Sequence, residues 1–103
     1  MSLIVSTPKT VGETRVQQFN FLSQLAVNET LTSAICTCVV WSGADANPSA
    51  VLSGNATVST PTAYQKITGG VEGTIYLITC TGFTSQSNNP VIQTYVPIVS
   101  NPL

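Results

Sequence analysis

Leu31–Ser42, LTSAICTCVVWS, is the stretch whose reading decides the fold. It holds no Gly, Pro, charge or amide side chain. It is rich in Ile, Val, Thr and Trp, which fit a pleated surface. Even positions carry Ala34, Cys36, Cys38 and Val40; odd positions carry Leu31, Ile35, Val39 and Trp41. Both faces are largely apolar, which predicts a strand in the middle of the structure, covered or neighboured on two sides.

Working outward, residues 74–84 read as its partner strand. Tyr76, Ile78 and Cys80 share one face; Ile75, Leu77 and Phe83 fall on the other. Three glycines in residues 69–73, GGVEG, demand a tight or positive-φ turn just before it. A phosphate cradle is the functional alternative there, but no helix and no Lys-Ser/Thr pair follows. Tyr76, just inside a strand after a Gly-rich loop, resembles a tyrosine corner, whose hydroxyl ties the loop down. Residues 85–90 form a polar hairpin loop, and Val91–Val99 is the last strand, with Pro97 marking an edge.

On the N-terminal side, Phe19-Asn20-Phe21 alternates as a half-buried strand, and residues 27–30 turn into the central one. After Trp41, residues 42–49 are a loop built on Gly, Asp, Asn and Pro. Asp45 and Asn47 echo a calcium loop, but no third carboxylate follows at suitable spacing, so a solvated turn is the better reading. Residues 50–52 read as a short strand or helical turn, and 56–59 and 63–68 as two short strands. About seven antiparallel strands at this spacing predict an all-β, immunoglobulin-like β-sandwich. Its predicted core takes Phe19, Phe21, Ile35, Val39, Trp41, Tyr76, Leu77 and Ile78 from facing strands.

The chain divides into an N-terminal arm or edge strand (1–10), a sandwich domain (11–99) and a C-terminal tail (100–103). Leu3, Ile4 and Val5 are the apolar anchors of the first segment and the candidate partner-binding residues. The 103 residues suit one domain. Only 7% of them are charged, against roughly 25% in a typical soluble domain. Such a surface suits lasting contact with other proteins. Three Lys+Arg in the whole chain cannot form a phosphate-tracking patch, which argues against nucleic acid. No apolar run approaches the roughly 20 residues of a membrane span, and MSLIVSTPKT lacks the basic start of a secretory signal.

Cys36, Cys38 and Cys80 are expected as free buried thiols made in a reducing compartment. A Cys36–Cys80 bridge is the alternative, although Trp41 lies on the wrong strand for an immunoglobulin core pin. A C-x-C pair with one further thiol and no His predicts no metal site. The carboxylates Glu13, Glu29, Asp45 and Glu72 have no partner in a recognisable catalytic motif. Neither Cys36 nor Cys80 has a local base. No catalytic residue, cofactor or enzymatic activity is therefore expected.

Three stretches together resemble the small bacteriophage virion proteins of the fiber–tail adaptor type. They are Pro8-Lys9, Phe19-Asn20-Phe21 with the following Leu25-Ala26-Val27-Asn28-Glu29-Thr30-Leu31, and Gly69-Gly70-Val71-Glu72-Gly73-Thr74-Ile75-Tyr76. The likeness spans residues 8–99. The Cys-rich central strand and Asn47-Pro48 depart from the pattern. The resemblance implies an immunoglobulin-like sandwich, present in several copies in a symmetric part of a virion and made in the host cytoplasm. It also implies a non-enzymatic role linking tail or connector to fibers through protein–protein contacts. A head-decoration protein is the alternative. A glycan-binding module at the host surface is a third reading, disfavoured by the small number of aromatic residues and the central position expected for Trp41.

Overall fold

The computed structural model describes residues 8–99 in full and the backbone of residues 2–5. Among the described residues there are eight strands: β1 Ser2–Val5, β2 Lys9–Thr10, β3 Arg15–Asn20, β4 Leu31–Ser42, β5 Thr57–Ser59, β6 Thr62–Ile67, β7 Ile75–Thr84 and β8 Val91–Val99. Short 3₁₀ turns at Leu22–Gln24 and Pro48–Val51 are the only helical pieces among the described residues. The strands form two sheets. One runs β1-β8-β7-β4, with β2 also on β8; the other runs β3-β6-β5. The chain is an all-β sandwich of immunoglobulin-like strand order.

Not every pairing is antiparallel. β1 and β2 both run parallel to β8, with Val5 opposite Tyr95 and Lys9 opposite Ile98. Of the two readings of residues 1–10, the backbone of Ser2–Val5 therefore takes the edge-strand one, within its own domain. The tail at 100–103 lies outside the described residues. Pro97 is not on an edge strand, because β8 lies between β7 and β1/β2. The Ile98 N–H bonds the Thr74 carbonyl on the β7 side at 2.9 Å. The alternation of a strand then aims the Pro97 nitrogen away from β7, so the β7–β8 ladder loses no bond to the missing donor.

The core is built by alternation. From β7 come Tyr76, Ile78 and Cys80, from β8 Ile92, Val96 and Ile98, and from β6 Ala63 and Ile67. Phe19 and Phe21, flanking the end of β3, are both fully buried. The other four predicted core residues are not core: Leu77 is half-buried on the outer side, opposite Val39. Ile35, Val39 and Trp41 are 59%, 52% and 61% exposed. The inward residues of β4 are Ala34 and Cys38, with Cys36 and Val40 packed against the core. A bulge at Thr32 inserts one residue, so that Leu31 and Ala34 both point inward despite opposite parity. β4 is also not central, since it ends its sheet and pairs with β7 alone. With both faces apolar, hydropathy could not say which parity the second sheet covers.

Candidate functional site: the outer face of the large sheet

Three strands build this face. The register sets Ile35 beside Thr81 and Val91, Thr37 beside Thr79 and Gln93, and Val39 beside Leu77 and Tyr95. Ile75 beside Pro97 continues it, and Trp41 lies against Tyr95 with ring centroids 5.0 Å apart and planes tilted by 49°. No residue turned outward from β4, β7 or β8 is charged. Gln93 donates to Thr79 Oγ1 at 3.1 Å, using part of the little polarity present.

The charged groups sit elsewhere. Lys66 is on the outer side of the small sheet, and Glu72 is exposed in the Gly-rich loop. Lys9 is buried, donating from Nζ to the carbonyls of Gly69 at 2.7 Å and Thr10 at 2.9 Å. Burial lowers its pKa, the Glu13 carboxylate opposes that shift, and Arg15 adds to it.

Two buried polar ties hold opposite ends of the sheet. At one end, Tyr76 Oη donates to Asp45 Oδ2 at 2.7 Å and accepts the Val71 N–H at 2.9 Å. This is the loop-tying hydroxyl expected of a tyrosine corner. Burial and then the Asp45 bond push its pKa up to about 12. The same bond, with one from the Asn47 N–H, holds the Asp45 carboxyl below its ordinary value. Asp45 is thus engaged within the fold. No cluster of three or more metal-ligating side chains occurs among the described residues. Gly70 lets the loop pass closely: its φ is +99°, and a Cβ there would meet Ile98 at 2.9 Å.

At the other end, Glu29 is buried. Its carboxylate accepts from the Ala26 N–H at 2.9 Å, the Thr84 hydroxyl at 2.5 Å and the Asn88 amide at 2.8 Å. These bonds, that of Ala26 foremost, hold its pKa below the ordinary value against the opposing effect of burial. No catalytic or ligand-binding motif surrounds Glu29 in the sequence. Only the fold brings Thr84 and Asn88 to it.

The three thiols are free. Cys36 and Cys80 are opposite one another on neighbouring strands of one sheet, not across the sandwich. Their side chains share a hydrogen bond, which lowers the Cys36 pKa and, with burial, raises that of Cys80. Burial, with a smaller effect of Asp45, pushes the Cys38 thiol up to about 12. Cys38 and Cys80 are thus poor thiolates at neutral pH.

The sequence assignments divide cleanly. Phe19, Phe21, Tyr76 and Ile78 are core, and Ile35, Val39, Trp41 and Leu77 belong to the outer face. Leu3 and Val5 align by backbone register with Gln93 and Tyr95, and Ile4 with Thr94. The aromatic partner of Trp41, Tyr95, was legible only as one residue of the last strand, because the pairing depends on sheet order. No protein-family model, curated protein or solved structure matches this chain. No helix among the described residues is long and apolar enough to cross a membrane.

Proposed function

We propose that the chain is a non-enzymatic structural protein of a bacteriophage particle, an adaptor between tail or connector and fibers. One observation carries the docking part of this reading: the uncharged apolar face of Ile35, Val39, Trp41, Leu77 and Tyr95. Exposed apolar patches on small soluble domains mark interaction sites. Aromatic anchors surrounded by uncharged residues are the composition of interface centres. The virion assignment rests on the sequence resemblance, and the sandwich fold is compatible with it. The partners are other virion proteins, and attachment by apolar contact resists salt, since there are few charges to screen.

The test is incorporation. Trp41→Ala and Val39→Ser should fold normally yet be depleted from purified particles. Full incorporation of both would remove this face from the docking role. Copy number on a stained gel of the particle separates the adaptor, with few copies, from a head-decoration protein, with many.

Trp41 beside Tyr95 favours a second reading. An exposed Trp41 ring set against half-buried Tyr95 offers a sugar ring a stacking surface, so glycan binding regains ground that the sequence denied it. Quenching or shift of Trp41 fluorescence on titration with host-surface saccharides supports that reading; an unchanged spectrum opposes it.

A further inference from the structure

The sandwich has four terminal strands, and three are short or interrupted. β5 has three residues, β1 has four and is followed by Pro8, and β3 has six and begins with Arg15. Short edges, charge and proline are the usual protections against edge-to-edge pairing. β4 has twelve residues and pairs along one edge only. It contains no Lys, Pro or charge of any kind. Its bulges fall near its ends, at 31–33 and 40–42, leaving an unbroken ladder between them. A long, regular, uncharged strand edge is a template for another strand.

We propose that this edge pairs with β4 of a second copy, antiparallel, across a two-fold axis at Thr37. The inference does not depend on the virion reading. A two-fold interface sets a patch against itself, so any charge in it would meet its own like; β4 offers none. With the axis at Thr37, Ile35 faces Val39 of the second copy and Thr37 faces its own equivalent. β-branched and Thr–Thr cross-strand pairs are favourable ones. The alternative axis at Cys36 would oppose Ile35 to Thr37 and lose the apolar match. On the inner side, a cleft of about 130 Å³ opens between β4 and residues 52–56, lined by Ala34, Cys36, Leu52, Ala56 and Gln65 among others. Val40 of the second copy, opposite Ala34 in this register, supplies a side chain to fill it. Nine paired residues at ~3.4 Å each span about 30 Å of edge. That is a small interface, so the dimer should dissociate on dilution. Pairing joins the two large sheets into one of eight main strands and makes their apolar outer faces continuous.

The experiment is light scattering across a concentration series, with circular dichroism confirming the fold of each variant. The wild-type chain should move from 10.8 kDa to twice that mass as concentration rises. Thr37→Lys and Thr37→Glu, each placing like charges across the axis at an exposed position, should stay monomeric, and their mixture should restore the dimer. Leu77→Lys, in the middle of the outer face, should still dimerise. Thr37→Cys should form an intermolecular disulfide with a mild oxidant, whereas Thr79→Cys should not. A wild-type chain monomeric throughout, or Thr37→Lys as dimeric as wild type, would overturn the proposal. Loss of the dimer in Leu77→Lys alone would assign self-association to the face instead.

Discussion

The outer face of the three-stranded sheet carries Gln18, Asn20, Thr62 and Lys66, with Val16 and Tyr64 between them. The outer face of the large sheet carries Ile35, Val39, Trp41, Leu77 and Tyr95. Both cover the same kind of interior, through strands that alternate by the same rule. The difference lies in how polar their outward residues are. A sheet that meets only water keeps its outward positions mainly polar, as Gln18, Asn20, Thr62 and Lys66 show here, although Arg15 and Gln17 share the parity of Phe19 and Gln65 is buried on the inner side. A sheet that keeps apolar groups on both sides has area to bury against a second neighbour, which is the docking proposed above. The two faces of β4 teach the same lesson at the scale of one strand: equal hydropathy, with one side covered by the chain and the other left open.

The largest expected effect tests the covered side. Ile78 is fully buried on β7, directly opposite Cys38. Ile78→Ala should cost about 2–5 kcal/mol, a large share of the roughly 5–15 kcal/mol that holds such a domain. Chemical denaturation should show a much lower midpoint or an unfolded chain. A near-neutral result would place Ile78 on the wrong side of the comparison.

Next come the polar ties. Tyr76→Phe leaves the Val71 N–H and the Asp45 carboxylate without their hydroxyl partner and should cost about 1–3 kcal/mol. The pH dependence of this tie has a definite sign. The Tyr76 pKa is raised to about 12 in the fold, so its contribution is complete below the unfolded value of about 10. It is lost as pH rises through the folded one. A stability profile of Tyr76→Phe should lack that alkaline component. Glu29 works in the opposite sense. Its folded pKa is lowered, so its contribution is present above the ordinary carboxylate value and disappears as pH falls through the folded one. Glu29→Gln should be less stable than wild type at neutral pH, with the gap narrowing in acid. A gap that is constant with pH would show that the carboxylate charge does not matter there.

The smallest expected change in stability belongs to the open side. Trp41→Ala removes one tilted aromatic contact with Tyr95, worth about 0.5–1.5 kcal/mol beyond its buried area. The thermal midpoint should move little, while, on the proposed docking role, recovery in particles should fall sharply. The ratio of these two effects separates docking from packing, and Ile78→Ala should show the reverse ratio.

Much of the fold was legible because it is written in local signals. The alternation in β7, the glycines at 69, 70 and 73, and the turn residues of 42–49 and 85–90 each act over a few positions. Phe19, Phe21, Tyr76 and Ile78 followed from them. The orientation of β4 was not legible, since Ile35-Cys36-Thr37-Cys38-Val39 offers either face an apolar set. The decision depends on residues of the opposite sheet, far away in sequence. The parallel pairing of β1 and β2 with β8 also depends on a partner remote in the chain. So does the burial of Glu29, a carboxylate in a turn until Thr84 and Asn88 close over it. The apolar face escapes the sequence for the same reason: Ile35, Val39, Trp41 and Leu77 read as core, and Tyr95 only as one residue of the last strand.

Trp41 is the only tryptophan in the chain, so its fluorescence reports on the disputed face without any substitution. The direct measurement is acrylamide quenching of the isolated protein, dilute enough to be monomeric, and of the protein within purified particles. The free chain should be quenched nearly as readily as an exposed indole, with a red-shifted emission, and the assembled one should be protected. A blue, poorly quenched Trp41 in the folded monomer would contradict the account, because it would put that side of β4 in the core.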